Sequence, residues 1–469
     1  MSAWEPVIGL EIHVQLKTRT KMFCRCEATF GDEVNTRTCP VCLAHPGALP
    51  VPNAKAIAWT VKLGLALGCE IAERALFHRK HYWYPDLPKG YQISQYDVPL
   101  CVGGRFLVPG PDGDREIGIE RAHLEEDTAK TIHVGGVGGR IAGAAHSLVD
   151  FNRGGTPLVE IVTEPDLRSP EEARRFMQLL RQTVVELGIS DAEMEKGTLR
   201  CDANVSVREV GEAGFRTKTE VKNMNSFKFV ADAIAAETER QMSAYEAGED
   251  VVQETLHYDP ATGSVSPLRT KEYADDYRYF PEPDLVPVEP PRELVEAMRT
   301  EIGELPGRRI RVLTREVGFA LASDLVSSGR DALLAPIAAH GVEAKAAANF
   351  LMNDYTGDGV GAPDAGLIAE TIKRRRELPP DVYRQAAEAA SAGNAKAVAR
   401  LLAQTSISDA GELGPVVDEV LAANEAQVAA YRSGKHGLLG FFVGQVMGKT
   451  QGKADPRVVN ELVRERLEA

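Results

Sequence analysis

No apolar run in the 469-residue chain approaches the ~18 residues that a bilayer-crossing helix needs, so no membrane-spanning segment is expected. The start, Met1-Ser-Ala-Trp-Glu-Pro6, lacks the basic and apolar regions of a signal peptide. Cysteine is scarce and, at seven, odd in number, which excludes a complete disulfide framework. Cys69, Cys101 and Cys201 stand alone among apolar neighbours and are expected to be buried free thiols, which points to a reducing cytoplasm. Positive charge is also short: 54 Lys and Arg against 68 Asp and Glu give a net charge of −14. That balance argues against wholesale non-specific nucleic-acid binding, although not against a local basic patch. The sequence has no GxSxG, no Ser-Gly-rich amidase signature and no Cys/His glutaminase context. If the protein uses ammonia, another chain must release it. Gly135-Gly-Val-Gly-Gly139 has no following Lys-Ser or Lys-Thr and is expected to be a loop. Gly444-Gln-Val-Met-Gly448-Lys449-Thr450 has three residues between its glycines, where a phosphate-binding P-loop has four and a preceding strand.

What is present divides by composition. Residues 1 to about 290 are β-rich with inserted helices. Strands are expected at Val7–Leu16, Glu116–Arg121, Leu199–Val207 and Thr217–Lys222, from period-2 alternation between turn residues. Ser169-Pro170-Glu171-Glu172 combines an N-cap, a proline at the first helical position and a capping-box glutamate. Ala173, Phe176, Met177, Leu180, Val184 and Leu187 follow at helical spacing, and Gly188 marks the stop. Proline-rich Pro281–Pro291 crosses into Ala-, Glu- and Arg-rich helical sequence, with a further boundary near residue 405. The expected architecture is α+β: a β-rich cradle over residues 1–290, an all-α helical domain over 291–405 and a small helical tail over 406–469. Residues 421–469 carry seven Lys/Arg against five Asp/Glu, a local excess of two that suits an RNA contact or simply a solvated helical tail.

Four thiols fall within nineteen residues, at Cys24-Arg-Cys26 and Cys39-Pro-Val-Cys42. Zn²⁺ is the usual occupant of such a set; the alternatives are redox or disulfide pairs. Glu11 and His13, two apart on a strand, leave the same face and make a plausible divalent-metal or proton-transfer corner. The run His123-Leu-Glu125-Glu126-Asp127 places three carboxylates in succession, which repel one another unless cations lie nearby. Asp202 and Asn204 share a strand face and offer hard oxygens of the kind Mg²⁺ accepts. Arg79, Lys80 and Lys89, interleaved with Tyr82, Trp83 and Tyr84, suit phosphate and base stacking, or a packed aromatic loop. Asp276-Tyr-Arg278-Tyr-Phe-Pro-Glu-Pro-Asp284 is a similar polar and aromatic block.

These blocks resemble a known family. VIGLEIHVQL (Val7–Leu16), CPVCLAHPGALPV (Cys39–Val51), YPDLPKGYQISQYD (Tyr84–Asp97), RAHLEED (Arg121–Asp127) and SLVDFNRGGTPLVEIVTEP (Ser147–Pro165) occur in order. GTLRCDANV (Gly197–Val205), EVKNMNSF (Glu220–Phe227), DYRYFPEPDL (Asp276–Leu285) and GFFVGQVMGKTQGKADP (Gly440–Pro456) continue the series. Together they resemble the B subunit of the bacterial aspartyl/glutamyl-tRNA(Asn/Gln) amidotransferase across nearly the whole chain. The resemblance implies a ligase component that binds misacylated Glu-tRNA(Gln) or Asp-tRNA(Asn). It further implies that ATP and Mg²⁺ serve to phosphorylate the side-chain carboxylate, which ammonia from a partner amidase, the A subunit, then converts to the amide. A small C subunit completes the implied heterotrimer. By motif match Glu11, His13 and Glu126, or its neighbour Glu125, are the implied magnesium ligands. Asp202, Asn204, Lys222 and Arg278 are weaker nucleotide-binding candidates, and Lys80, Lys89 and Lys222 would contact phosphate or line the ammonia path. The cysteine quartet is then structural zinc, since family members that replace it keep fold and activity. A non-catalytic, zinc-containing tRNA-binding adaptor is the competing reading.

Overall fold

The first strand sets the plan of the molecule. In β1 (Trp4–Gln15) Ile8, Leu10, Ile12 and Val14 are buried, while Glu11, His13 and Gln15 alternate with them and stay partly accessible. A strand sends successive side chains to opposite faces, so β1 carries one apolar face and one polar face. The computed structural model describes residues 4–29, 31–136, 143–270, 277–357, 363–404 and 406–468. Val137–Gly139 of the glycine run, Asp276 and the expected boundary at residue 405 lie outside these.

Two compact units are present, Met1–Arg308 and Arg309–Ala469. In the first, β1 is followed by β2 (Glu70–Ile71), β3 (His78–His81), β4 (Tyr91–Ser94), β5 (Cys101–Val102), β6 (Arg105–Val108) and β7 (Arg115–Glu126). Then come β8 (Lys130–Val134), β9 (His146–Asp150), β10 (Pro157–Thr163), β11 (Leu199–Glu209) and β12 (Thr219–Lys222). The last strands are β13 (Glu254–Asp259), β14 (Ser264–Thr270) and β15 (Phe280–Pro281). The helices of this unit are α1 (Ala54–Ala66), α2 (Pro170–Glu186), α3 (Phe227–Glu246) and α4 (Arg292–Thr300).

Ten strands form one sheet in the order β14-β13-β12-β11-β1-β10-β7-β5-β2, with β6 also on β7. Pairing is antiparallel except between β12 and β13, whose crossover is α3. Smaller sheets join β15-β3-β4 and β8-β9. Register decides which side chains meet: Ile12 lies opposite Cys201 and Ile161, and His13 opposite Arg200 and Glu160. On the apolar face Leu199, Cys201, Ala203 and Val205 of β11 are buried, and α3 packs over β11 and against α2. The α2 helix starts where expected, with Ser169 Oγ accepting from the Glu172 amide 3.1 Å away. Cys69, Cys101 and Cys201 are buried free thiols, in agreement with the sequence.

The second unit is built mainly of helices. It holds α5, which begins at Pro306 and runs to Val317, then α6 (Phe319–Ser327), α7 (Leu334–Ala338) and α8 (Ala344–Asn353). Next are α9 (Ala365–Lys373), α10 (Pro380–Ser391), α11 (Ala395–Leu402) and α12 (Ala410–Ala422). The chain closes with α13 (Glu425–Arg432), α14 (Leu439–Lys449) and α15 (Pro456–Glu468). These last helices enclose a core of their own around Val417, Tyr431, Phe442, Val446 and Val463. Gly444 to Lys449 lie inside α14, so no P-loop forms there. The architecture is α+β, with the sheet in the first unit and, apart from an isolated bridge between Ile407 and Ala454, helices among the described residues of the second.

Candidate active site

The polar face of the central strands gathers the chemistry. Pairing β10 between β1 and β7 brings Glu160 opposite both His13 and His123. His13 Nε2 then lies 3.4 Å from Glu160 Oε2, 3.5 Å from Glu125 Oε1 and 4.0 Å from Glu11 Oε1. His123 Nε2 is 3.6 Å from Glu160 Oε2, and an Arg121 nitrogen is 3.8 Å from its other oxygen. Ser94 Oγ donates to Glu125 across 3.1 Å. Towards β12, Asp202 pairs with Lys222, whose Nζ is also 3.3 Å from Glu220. Ligand atoms of Glu11, Asp202 and Glu220 lie within 4.8 Å of one another, and so do those of Glu11, His13 and Glu160.

Charge on this face is uneven. Burial, with Glu160 and Asp202 beside it, pushes the Glu11 carboxyl up to about 7. Burial alone would lower His13, yet its contact with Glu160, reinforced by Glu125 and Glu11, raises it to about 9. His123 is buried and pushed down to about 4, hence a neutral imidazole at pH 7. Glu125 is raised by burial and by Glu160. Glu160 is held well below its usual range against the cost of burial: the neutral His123 imidazole lies beside it, and the His13 and Lys80 cations face it. A carboxylate kept near half-protonation by burial and by neighbouring carboxylates is what a divalent cation would relieve, so the oxygen donors here fit a hard metal.

The cations divide their work. Lys80, on β3, lies 4.7 Å from the Tyr277 ring centre; its ammonium is held above its usual range, against burial, by Tyr279, Glu125 and Glu160. Lys222 is likewise raised, against burial, by Asp202 and Glu220. Asn204, opposite Gly9 and Glu220, points to the same face as Asp202. Arg278 is exposed with φ 44°, and its carbonyl meets His81 Nδ1 at 2.9 Å.

Glu126 is not brought to Glu11 and His13. It follows Glu125 on β7, so strand alternation turns it the other way. There it accepts from the Ile93 amide at 2.9 Å and pairs with Lys89 at 2.6 Å. Of the two neighbouring glutamates, Glu125 shares the face of His13. Asp127 has its own partners, Arg153 and Arg200, each 2.9–3.0 Å away, and Gln15. The three successive carboxylates thus avoid repulsion by facing three separate sets of groups.

Sequence reasoning missed Glu160 and Glu220. Glu160 carried a signal, as the one charged residue in Pro157-Leu-Val-Glu-Ile-Val-Thr163, a strand otherwise apolar up to Thr163. A carboxylate is rarely left in such a run without a partner.

Cys24, Cys26, Cys39 and Cys42 form a second centre, with all four sulfurs within 4.8 Å of one another. The Cys39–Cys42 separation is 3.8 Å, and a tetrahedron of Zn–S bonds requires about 3.8 Å. The contact with Cys24, aided by the Lys21 ammonium, draws Cys42 down to about 4, so a thiolate ligand is available at pH 7.

Fold and site together define a cradle: a large sheet whose polar face collects carboxylates and imidazoles from strands far apart in sequence. Residues 6–296 match the family model described as GatB/GatE catalytic domain, and residues 384–467 the GatB domain. Curated relatives, each named as the B subunit of aspartyl/glutamyl-tRNA(Asn/Gln) amidotransferase, match along the full length. The protein of Moorella thermoacetica is 46% identical over 99% of this chain and 100% of its own. That of Thermobifida fusca is 45% identical over 100% and 95%, and that of Persephonella marina 42% identical over 99% of each. The chain belongs to the B-subunit family of tRNA-dependent amidotransferases.

Proposed function

We propose that the chain binds misacylated Glu-tRNA(Gln), Asp-tRNA(Asn) or both, and uses ATP to convert the side-chain carboxylate to the amide. The observation that carries this reading is the Glu11–His13–Glu125–Glu160 cluster, which fits a magnesium ion. Mg²⁺ bound there would neutralise charge on transferring phosphoryl oxygens. Glu11, Glu125 and Glu160, with Asp202 and Glu220 beside them, are the oxygen donors that would hold it.

A carboxylate oxygen is a poor leaving group for amine attack. Transfer of the γ-phosphoryl group to that oxygen releases ADP and makes it a good one. Ammonia then bonds to the carbonyl carbon, the C–O bond breaks, and phosphate departs with the electron pair. The nitrogen sheds a proton to water or to a neighbouring base as the amide forms. Lys80 and Lys222 would stabilise phosphate oxygens, and Arg278 would reach the nucleotide from the rim. Lys89, tied to Glu126, is assigned to the ammonia approach. Residues 406–469 would contact tRNA, residues 291–405 linking them to the cradle over 1–290. A partner amidase, the A subunit, would supply ammonia, and a small C subunit would complete a heterotrimer. Zinc on the cysteine quartet would be structural. The buried free thiols suit a cytoplasmic protein, and no helix among the described residues is long and apolar enough to cross a membrane.

The test co-expresses the chain with candidate amidase and small-subunit partners and supplies labelled ATP with each misacylated tRNA. Phosphate release tied to amide formation is expected, and Glu11→Ala should abolish both while glutamine hydrolysis persists. Absence of phosphate release in the wild type would favour a non-catalytic adaptor.

A further inference from the structure

Lys21 is 1% exposed, and its neighbours are unusual for a buried ammonium. Nζ donates to the Phe151 carbonyl at 2.9 Å and lies 3.7 Å from Cys42 Sγ. A four-thiolate centre around a divalent cation carries a net charge of −2. Half-buried, that charge is costly without a counter-charge close by. Lys21 supplies one, and its other bond reaches a different part of the chain.

That part is the 149–156 segment, to which the loop between the two cysteine pairs is stitched. Asn35 donates from its amide to Asp150 and from its side chain to the Val149 carbonyl, both at 3.1 Å, and accepts from the Phe151 amide at 2.7 Å. Asn152 accepts from the Arg37 amide at 2.8 Å and donates to the Glu33 carbonyl at 2.7 Å. Beyond them the Met22 amide bonds the Gly155 carbonyl at 2.7 Å, and the Gly155 amide bonds the Asp127 carbonyl at 2.8 Å. Gly155 takes φ 87°, and a Cβ there would meet the Lys21 stem at 3.4 Å. A continuous set of bonds therefore runs from the cysteines to the residue that follows Glu125 and Glu126.

We propose that Lys21 is a positioning residue that ties the four-cysteine centre to the 149–156 segment. Its ammonium balances thiolate charge on one side and fixes the Phe151 carbonyl on the other. Metal loading thereby orders the turn whose Arg153 holds Asp127 at the edge of the cradle. The inference rests on the reading that the cysteine quartet holds zinc.

The experiment uses the full chain as wild type, Lys21→Met and Lys21→Arg. Zinc content, the rate of zinc loss to a chelating dye, and amide exchange along the chain are measured. Lys21→Met should weaken zinc retention by about 10- to 100-fold. Exchange should rise at 149–156 but not in α3, and stripping zinc from the wild type should expose the same segment. Lys21→Arg should restore most of the retention. Equal retention by Lys21→Met, or unchanged protection of 149–156 after stripping, overturns the inference alone. A loss of protection that extends equally to α3 also overturns it, because Lys21 would then merely stabilise the fold. A wild type that takes up no zinc overturns the reading of the quartet and this inference with it.

Discussion

Replacing Asp127 by asparagine should destabilise the first unit by about 2 kcal/mol at pH 7. The side chain is 2% exposed and accepts from Arg153 at 2.9 and 3.0 Å, from Arg200 at 3.0 Å and from Gln15. Burial would raise its pKa, but the guanidiniums of Arg200 and Arg153 outweigh that and hold it down at about 2, against a reference of 3.8. That depression corresponds to about 2 kcal/mol. Removing one partner of a fully buried pair costs about 3–5 kcal/mol. The smaller figure applies because Arg153 and Arg200 keep 33% and 39% exposure and can recruit water. Spread over a unit of this size, it lowers the melting midpoint by about 3 °C. The sign of the pH dependence follows from the depressed value. The stabilisation is fully present above 3.8 and fades as pH falls towards 2, so about half remains at pH 3. Thermal scans of wild type and Asp127→Asn at pH 7 and pH 3 read both quantities. Equal midpoints at pH 7, or a gap that does not narrow at pH 3, would refute the argument.

Glu160→Gln should cut tRNA amidation by at least about 100-fold with the fold retained, since it removes the anion facing both His13 and His123. Near-normal turnover in the reconstituted complex would exclude Glu160 from the site. The double variant Cys39→Ser, Cys42→Ser should lose bound metal and melt earlier, with activity falling only as the fold does. Elemental analysis beside a temperature series of activity checks the order of those losses. Phe442→Ala, in the fully buried core of α12–α15, should cost about 3–5 kcal/mol and loosen those helices in amide exchange, while β11 and α3 keep their protection.

Much of the architecture was legible because its signals are local. Alternation in Val7–Leu16 identified β1, and the Ser169 cap with its proline placed the start of α2 at Pro170. Two-residue spacing put Glu11 and His13 on one face whatever the strand paired with. Four clustered cysteines predicted a centre whose sulfurs do converge. The choice between Glu125 and Glu126 had a different character. Adjacent residues on a strand face opposite ways, but sequence alone does not say which way is the cradle.

Sequence by itself thus determined which residues alternate, which cap and which thiols gather within a short span. Tertiary structure alone decided the membership of the site. Glu160 and Glu220 enter it because β10 pairs between β1 and β7, and β12 beside β11, at one register. A slip of one residue in any of those pairings would turn the carboxylates to the apolar face. That register is set by the burial of Ile12, Ile161, Leu124 and Cys201, a sum over strands far apart in the chain that no local pattern contains.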